Sequence, residues 1–144
     1  MALADIVLAC LVVKICDGDT LTARCETPTG VESIKVRLAE IDAPEKAQPF
    51  GNRSKQHLSD LCFQKQAVVR PHTKDRYGRT VDHVACDGTD AGTGQVRAGM
   101  AWVFDRYVVD RGLYLLQDEA RIAARGLWAD TEPVAQWDWR AQSR

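Results

Sequence analysis

No stretch of the 144 residues approaches the ~18 consecutive apolar residues of a membrane span, since Lys14 and Asp17 break the longest apolar segment. A membrane protein is not expected. Histidine is scarce, with His57, His72 and His83 scattered along the chain, and the five cysteines show no Cys-x-x-Cys spacing, so a zinc site has little support. Gly88, Gly92 and Gly94 form neither a dinucleotide-binding nor a P-loop signature and read as a flexible connection. Net charge is nearly absent at -1, which argues against a protein that coats nucleic acid by charge alone. There is no internal repeat, no polar low-complexity run and no interdomain linker, so residues 1–144 are read as one domain.

What remains is a globular composition, 45% hydrophobic and 27% charged, long enough to bury a core. The charges are unevenly placed. Gln64 to Arg79 carries Lys65, Arg70, Lys74, Arg76 and Arg79 against Asp75 alone, a local basic rim suited to an anionic ligand. At the N-terminus, Ala2-Leu3-Ala4-Asp5 has the small-residue pattern of a signal-cleavage site without its apolar segment, so residues 1–5 are read as a cleavage remnant of an exported protein, periplasmic or secreted. An ordinary N-terminus with a chance Ala-Leu-Ala is the equal alternative. Residues 129–144 form a tryptophan-rich tail, with Trp137 and Trp139 after Trp128, read as packing anchors.

Ile6 to Ile15 reads as a buried strand, and Asp17-Gly18-Asp19 as the tight turn returning it into a second strand over Thr20 to Cys25. Thr27-Pro28-Thr29-Gly30 turns the chain into a third, Ser33 to Glu40. A helix follows over about Asn52 to Cys62, with Leu58 and Leu61 inward. A fourth strand covers Ala67 to Thr73 and a fifth Arg79 to Cys86, joined by the polar turn Lys74 to Gly78. Asp90 to Gly99 predicts a short helix, and Leu113, Leu116, Ala120, Ala123 and Leu127 a longer one that Gly126 stops. Five strands with a helix between the third and fourth, followed by C-terminal helices, predict an α+β chain built on the partly open Greek-key barrel of the OB-fold.

The organising stretch is Val36-Arg37-Leu38-Ala39-Glu40-Ile41-Asp42-Ala43-Pro44-Glu45. Ile34, Val36 and Leu38 alternate with Ser33, Lys35 and Arg37, so Arg37 leaves the face opposite the apolar set. Pro44 restricts Ala43 and removes a ladder donor, which should break the strand around Asp42 and aim Asp42 and Glu45 from a fixed turn. Arginine grips phosphate oxygens in a bidentate fork, and carboxylates hold hard cations or accept a proton from water. The grouping fits metal-assisted attack on a phosphodiester. Asp19 and Asp42 supply two hard oxygen ligands suited to Ca²⁺, with water and a backbone carbonyl completing the shell. Taken singly, Asp17-Gly18-Asp19 is an ordinary hairpin turn, Glu45 a surface acid beside a helix, and each arginine an exposed ion-pair partner.

These residues, together with Val13-Lys14-Ile15-Cys16-Asp17-Gly18-Asp19-Thr20-Leu21, Asp75-Arg76-Tyr77-Gly78-Arg79, Val96-Arg97-Ala98-Gly99-Met100-Ala101 and Ala120 to Trp128, resemble the staphylococcal nuclease (thermonuclease) family in order and spacing, and the closing Ala-Arg-Gly-Leu-Trp looks closer to its bacterial exported members than to the eukaryotic repeat versions. The resemblance implies a calcium-dependent, sugar-nonspecific nuclease that cuts DNA and RNA, preferentially single-stranded, as a monomer, and leaves 3′-phosphate. It implies Asp19, Asp42 and the carbonyl of Ala43 as Ca²⁺ ligands, with Asp17 acting through a water. Ala43 stands where many members have threonine, so a hydroxyl contact is lost. Glu45 resembles the general base, and Arg37 and Arg79 the arginines on the phosphate. Tyr77 and Tyr107, with Lys74, match the nucleotide pocket, whereas Asp105 stands where a further pocket tyrosine is expected. Trp102 and Phe104 nearby read as core.

The rival reading is a non-catalytic OB-fold module that holds single-stranded nucleic acid; a third is a protein-interaction domain hinted at only by the tail. Binding alone has no use for Asp19, Arg37, Asp42, Glu45 and Arg79 together. Among the cysteines, antiparallel pairing of the fourth and fifth strands would bring Cys62 beside Cys86, closing a loop of about 24 residues at a gain of about 3 kcal/mol. Cys10 and Cys25 form a second candidate pair that depends on register, leaving Cys16 free. If the chain is cytoplasmic, five reduced thiols are as good a reading.

Overall fold

The computed structural model describes residues 7–70 and 78–129. Tyr77, Lys74, Trp137, Trp139 and the N-terminal cleavage pattern therefore lie outside the described residues.

Three long strands make a meander. β1 (Leu8–Asp17) returns through Gly18-Asp19 into β2 (Thr20–Thr27), which returns through Pro28-Thr29 into β3 (Gly30–Leu38). β1 is less enclosed than its apolar run implies: Leu8, Cys10 and Val12 face inward, but Leu11 is 38% exposed, because the strand keeps the ordinary two-residue alternation. Two bulges, between Val12 and Lys14 and between Ile15 and Asp17, shift the β1–β2 register. Each inserts a residue and sharpens the local twist, which bends the ribbon. They also set the cysteines: continued without them, the Asp17↔Thr20 pairing would put Cys10 opposite Thr27, whereas the bulged ladder puts Cys10 opposite Cys25.

The third strand ends sooner than expected, and for a different reason. Glu40 takes a left-handed backbone (φ 68°), so the break falls before Asp42. The chain then resumes as β4 (Ile41–Asp42), paired with β9 (Trp102–Val103) in a separate two-stranded sheet. Helix α1 (Gly51–Cys62) follows and turns Ser54, Leu58 and Cys62 inward as a single stripe, with Leu61 half-buried at its edge.

The predicted fourth strand is β5 (Gln66–Val69), paired with β1. The predicted fifth strand is two strands. β6 (Thr80–Asp82) runs parallel to β3 at one end of the sheet, and β7 (Ala85–Cys86) pairs with β5 on the other side, followed by β8 (Thr89–Asp90). Asp82 and Ala85 are three residues apart, a reach of about 11 Å at most. The two ends of the β6-β3-β2-β1-β5-β7-β8 sheet must therefore meet. The α+β class holds, but a curled seven-stranded sheet with a two-stranded annex replaces the expected five-stranded barrel, and α1 follows β4 rather than β3.

Two helices close the described chain. In α2 (Ala91–Arg97), the Asp90 side chain caps the N-terminus by accepting from the Thr93 amide. Helix α3 (Gly112–Ile122) buries Leu113 and Ala120 but stops four residues before Gly126, with Ala124 in the left-handed region (φ 54°) as its terminator. Leu127 is buried from a 3-10 turn over Gly126–Ala129, and its amide donates to Gly99 O at 2.8 Å. The core between sheet and helices includes Val12, Leu21, Val36, Leu58, Val69 and Val96, all fully enclosed.

Disulfides join Cys10 to Cys25, whose Cα atoms are 4.1 Å apart across the hairpin, and Cys62 to Cys86, which fastens the end of α1 to β7. Cys16 is the free thiol.

Candidate active site

Asp19 lies at the tip of the β1–β2 hairpin, and Asp42 at the end of β4. The fold brings both to Arg37 on β3. One guanidinium nitrogen of Arg37 stands 3.4 Å from Asp19 Oδ2 and 3.1 Å from Asp42 Oδ1, while another donates to Leu38 O at 2.7 Å. Arg37 does leave the face opposite Val36 and Leu38, yet its side chain is only 14% exposed and folds back over the acids. Asp42 is fully enclosed and Asp19 nearly so.

Asp19 is held on both oxygens. Thr20 Oγ1 donates to Oδ1 at 3.0 Å and the Ala43 amide donates to Oδ2 at 2.8 Å, which ties the hairpin tip to the Ala43-Pro44 turn. Burial alone would raise its pKa, but the Arg37 guanidinium and the hydrogen bonds converging on it hold the carboxyl below its ordinary value. Asp17 behaves oppositely: burial first, and the neighbouring Asp19 charge second, push it up to about 7. Asp19 and Asp42 thus share one guanidinium, and Asp17 stands beside them, accepting the Asp19 amide at 3.0 Å. Among the described residues, no three His, Cys, Asp or Glu side chains form a metal-binding group. Two buried carboxylates, one of them tied to the Ala43 amide, nonetheless match the hard-oxygen chemistry of Ca²⁺, which completes its shell with main-chain oxygens and water.

The hairpin tip has no room to vary. A Cβ on Gly18 would lie 1.8 Å from Ser54 Oγ and 2.8 Å from Ala43 Cβ. Beneath it, Gln95 of α2 is wholly buried and donates to Gly18 O at 2.8 Å and Ser54 O at 3.0 Å, while its carbonyl meets the His57 ring. Buried amides of this kind fix geometry because every partner is spoken for. Gln95 was not singled out from sequence, where a polar residue in a short helix carries no signal of burial.

Glu45 emerges half-buried from the turn after Pro44. Its amide donates to Gln48 Oε1 at 3.3 Å, and its carbonyl accepts from the Gln48 amide at 2.9 Å. Gly51 packs so closely that an added Cβ would stand 2.0 Å from Glu45 O, so the loop from Glu45 to the helix start is tightly closed. Arg79 precedes β6. Parallel pairing sets Val36 beside Thr80 and Arg37 beside Val81, with Val36 and Thr80 both facing the core. Continuing the alternation puts Arg79 on the same sheet face as Arg37.

Tyr107 lies on the loop between β9 and α3. It is 58% exposed, packs edge-on against Phe104 with ring centroids 5.0 Å apart, and has the Arg106 guanidinium 5.3 Å from its own ring. Asp105 is occupied by Tyr114 of α3, whose hydroxyl donates to it and whose pKa rises through that bond. Trp102 is buried, as expected of a core residue, and Phe104 is half-buried.

The family whose model matches this chain is described as "Staphylococcal nuclease homologue", over residues 35–130. The chain is 47% identical over 135 residues to a protein of Haemophilus influenzae named an uncharacterized endonuclease, covering 94% of this chain and 74% of that one. It is 42% identical over 130 residues to an Escherichia coli protein of the same name, covering 90% and 82%. A micrococcal nuclease of Shigella flexneri is 38% identical over 144 residues, covering 92% and 80%.

Proposed function

The chain belongs to the staphylococcal nuclease family and is a nuclease, and from its site we propose that it is a calcium-dependent enzyme hydrolysing DNA and RNA, single strands preferred, to products ending in 3′-phosphate. The carrying observation is the convergence of Asp19, from a hairpin tip, and Asp42, from β4, on Arg37. A pure binding module has no use for that arrangement.

In this reading Asp19, Asp42 and the Ala43 carbonyl hold Ca²⁺, with Asp17 acting through water. When bound, the ion supplies Lewis-acid polarisation of the phosphoryl oxygen. Glu45 takes a proton from the attacking water as its oxygen bonds to phosphorus. The bond from phosphorus to the 5′ oxygen breaks, and that oxygen is protonated from solvent. Arg37 and Arg79, on one sheet face, stabilise the negative charge that grows on the phosphoryl oxygens. Tyr107 meets the nucleotide, a role that the family resemblance also gives Tyr77 and Lys74.

The test is the chemistry of the cut ends. Fragments of a single-stranded oligonucleotide should resist extension by a polymerase until a phosphatase frees the 3′ hydroxyl; fragments extended without that treatment would contradict the mechanism.

We further place the protein in an oxidising compartment, the periplasm or the outside of the cell, on the strength of the Cys10–Cys25 and Cys62–Cys86 pairs. A non-reduced digest of native protein should yield both linked peptides in the mass spectrum. Recovery of those cysteines unlinked would refute the placement.

A further inference from the structure

Glu40 has no part in the chemistry above, yet it is among the most engaged residues of the chain. It is 8% exposed and adopts a left-handed backbone, a conformation that a glutamate rarely takes without something holding it. Its main-chain carbonyl accepts the Phe104 amide at 2.8 Å. Its carboxylate accepts the amides of Val109 at 2.5 Å and Asp110 at 2.6 Å on Oε1, and meets His83 Nε2 with Oε2. One residue thus fastens both ends of the segment from Phe104 to Asp110.

Within that segment the amides of Tyr107 and Val108 turn back to Phe104 O, at 3.0 and 2.9 Å, so the loop is a closed unit. Tyr107 stands exposed on it. The anchor itself lies between Arg37 and Asp42 in the chain, and Asp42 pairs with Trp102 just before the loop begins. The aromatic loop and the charged site are therefore referenced to the same few residues. A carboxylate suits the task, because its oxygens offer several acceptor sites and its charge strengthens each amide bond. A glutamine would present one acceptor oxygen and turn an N–H group towards one of its partners.

We propose that Glu40 is a positioning residue for substrate binding: it holds the 104–110 loop, and with it Tyr107, in a fixed place relative to the Arg37–Asp42 stretch. This rests on the reading that Tyr107 meets the nucleotide. Glu40 touches no reacting atom, so its loss weakens the hold on substrate and spares turnover.

The experiment is a double-mutant cycle on a single-stranded oligonucleotide, with Glu40→Gln, Tyr107→Ala and the pair together. Glu40→Gln should raise KM about tenfold with kcat within about twofold. The double variant should be no worse than Tyr107→Ala alone, because both changes remove one contact. If Tyr107→Ala raises KM and Glu40→Gln does not, or if the two effects simply multiply, the positioning role is overturned while the Tyr107 contact stands. If Tyr107→Ala is silent, the contact itself is overturned and the proposal with it. Should Glu40→Gln fail to fold, amide exchange in the wild type decides: Val109 and Asp110 must exchange slowly for residues on an exposed loop, and fast exchange at both would overturn the clamp.

Discussion

Glu45→Gln lowers kcat by about 10² or more, and Arg79→Ala lowers it to a similar extent, while both variants fold normally. Glutamine keeps the shape of the side chain but cannot take a proton from water at neutral pH. The loop that aims Glu45 is held by main-chain bonds to Gln48 and by the close packing of Gly51, none of which needs the charge. Arg79 precedes β6 and lies on the sheet face away from the core, so its removal opens no cavity in the packed interior. Its loss should be felt in the transition state, where charge on the phosphoryl oxygens is greatest. Steady-state kinetics on denatured DNA check both, and near-full activity of Glu45→Gln at neutral pH would show that another group is the base.

Asp42→Asn has an equally large effect through a different route. Asp42 is wholly enclosed, and its charge is matched by Arg37 at 3.1 Å. Asparagine is nearly isosteric, and Arg37 keeps Asp19 as a partner at 3.4 Å, so the fold survives. What is lost is one of two anionic ligands for a hard cation, and a neutral amide oxygen is a much weaker one. Activity should fall by orders of magnitude and should not return at Ca²⁺ concentrations that saturate the wild type. Circular dichroism and thermal unfolding separate this outcome from simple loss of structure.

Much of this site was legible because it sits on long, regular elements. The meander of β1, β2 and β3 follows from period-2 alternation and two turn signals, and it alone delivers Asp19 and Arg37 to one place. The placement of Asp42 was legible only in part. Pro44 does end the strand region, but the break at Glu40 depends on a backbone conformation stabilised by Phe104, Val109 and Asp110, residues more than 60 positions away. Strands as short as β4 and β9 carry no periodicity, so their pairing is a tertiary fact. The same holds for the division of Thr80 to Cys86 into β6 and β7: one short stretch serves both ends of a curled sheet, and its change of partner is set by the pairing of β6 with β3 and of β7 with β5. The Cys10–Cys25 register turned on two bulges that sequence does not announce. Gln95 was invisible for a related reason, since its burial is imposed by the glycine and serine it touches, Gly18 and Ser54.

The most direct test of the account is the cleavage of heat-denatured DNA by purified wild type and Asp42→Asn, side by side, across a Ca²⁺ titration with a chelator control. The account predicts that wild-type cutting appears as Ca²⁺ reaches roughly the millimolar range, as in weak oxygen-ligand sites, and vanishes with chelator, while Asp42→Asn stays silent throughout. Wild-type cutting that persists undiminished in chelator would contradict it, as would a protein that retards DNA on a gel yet never cuts it in Ca²⁺, Mg²⁺ or Mn²⁺.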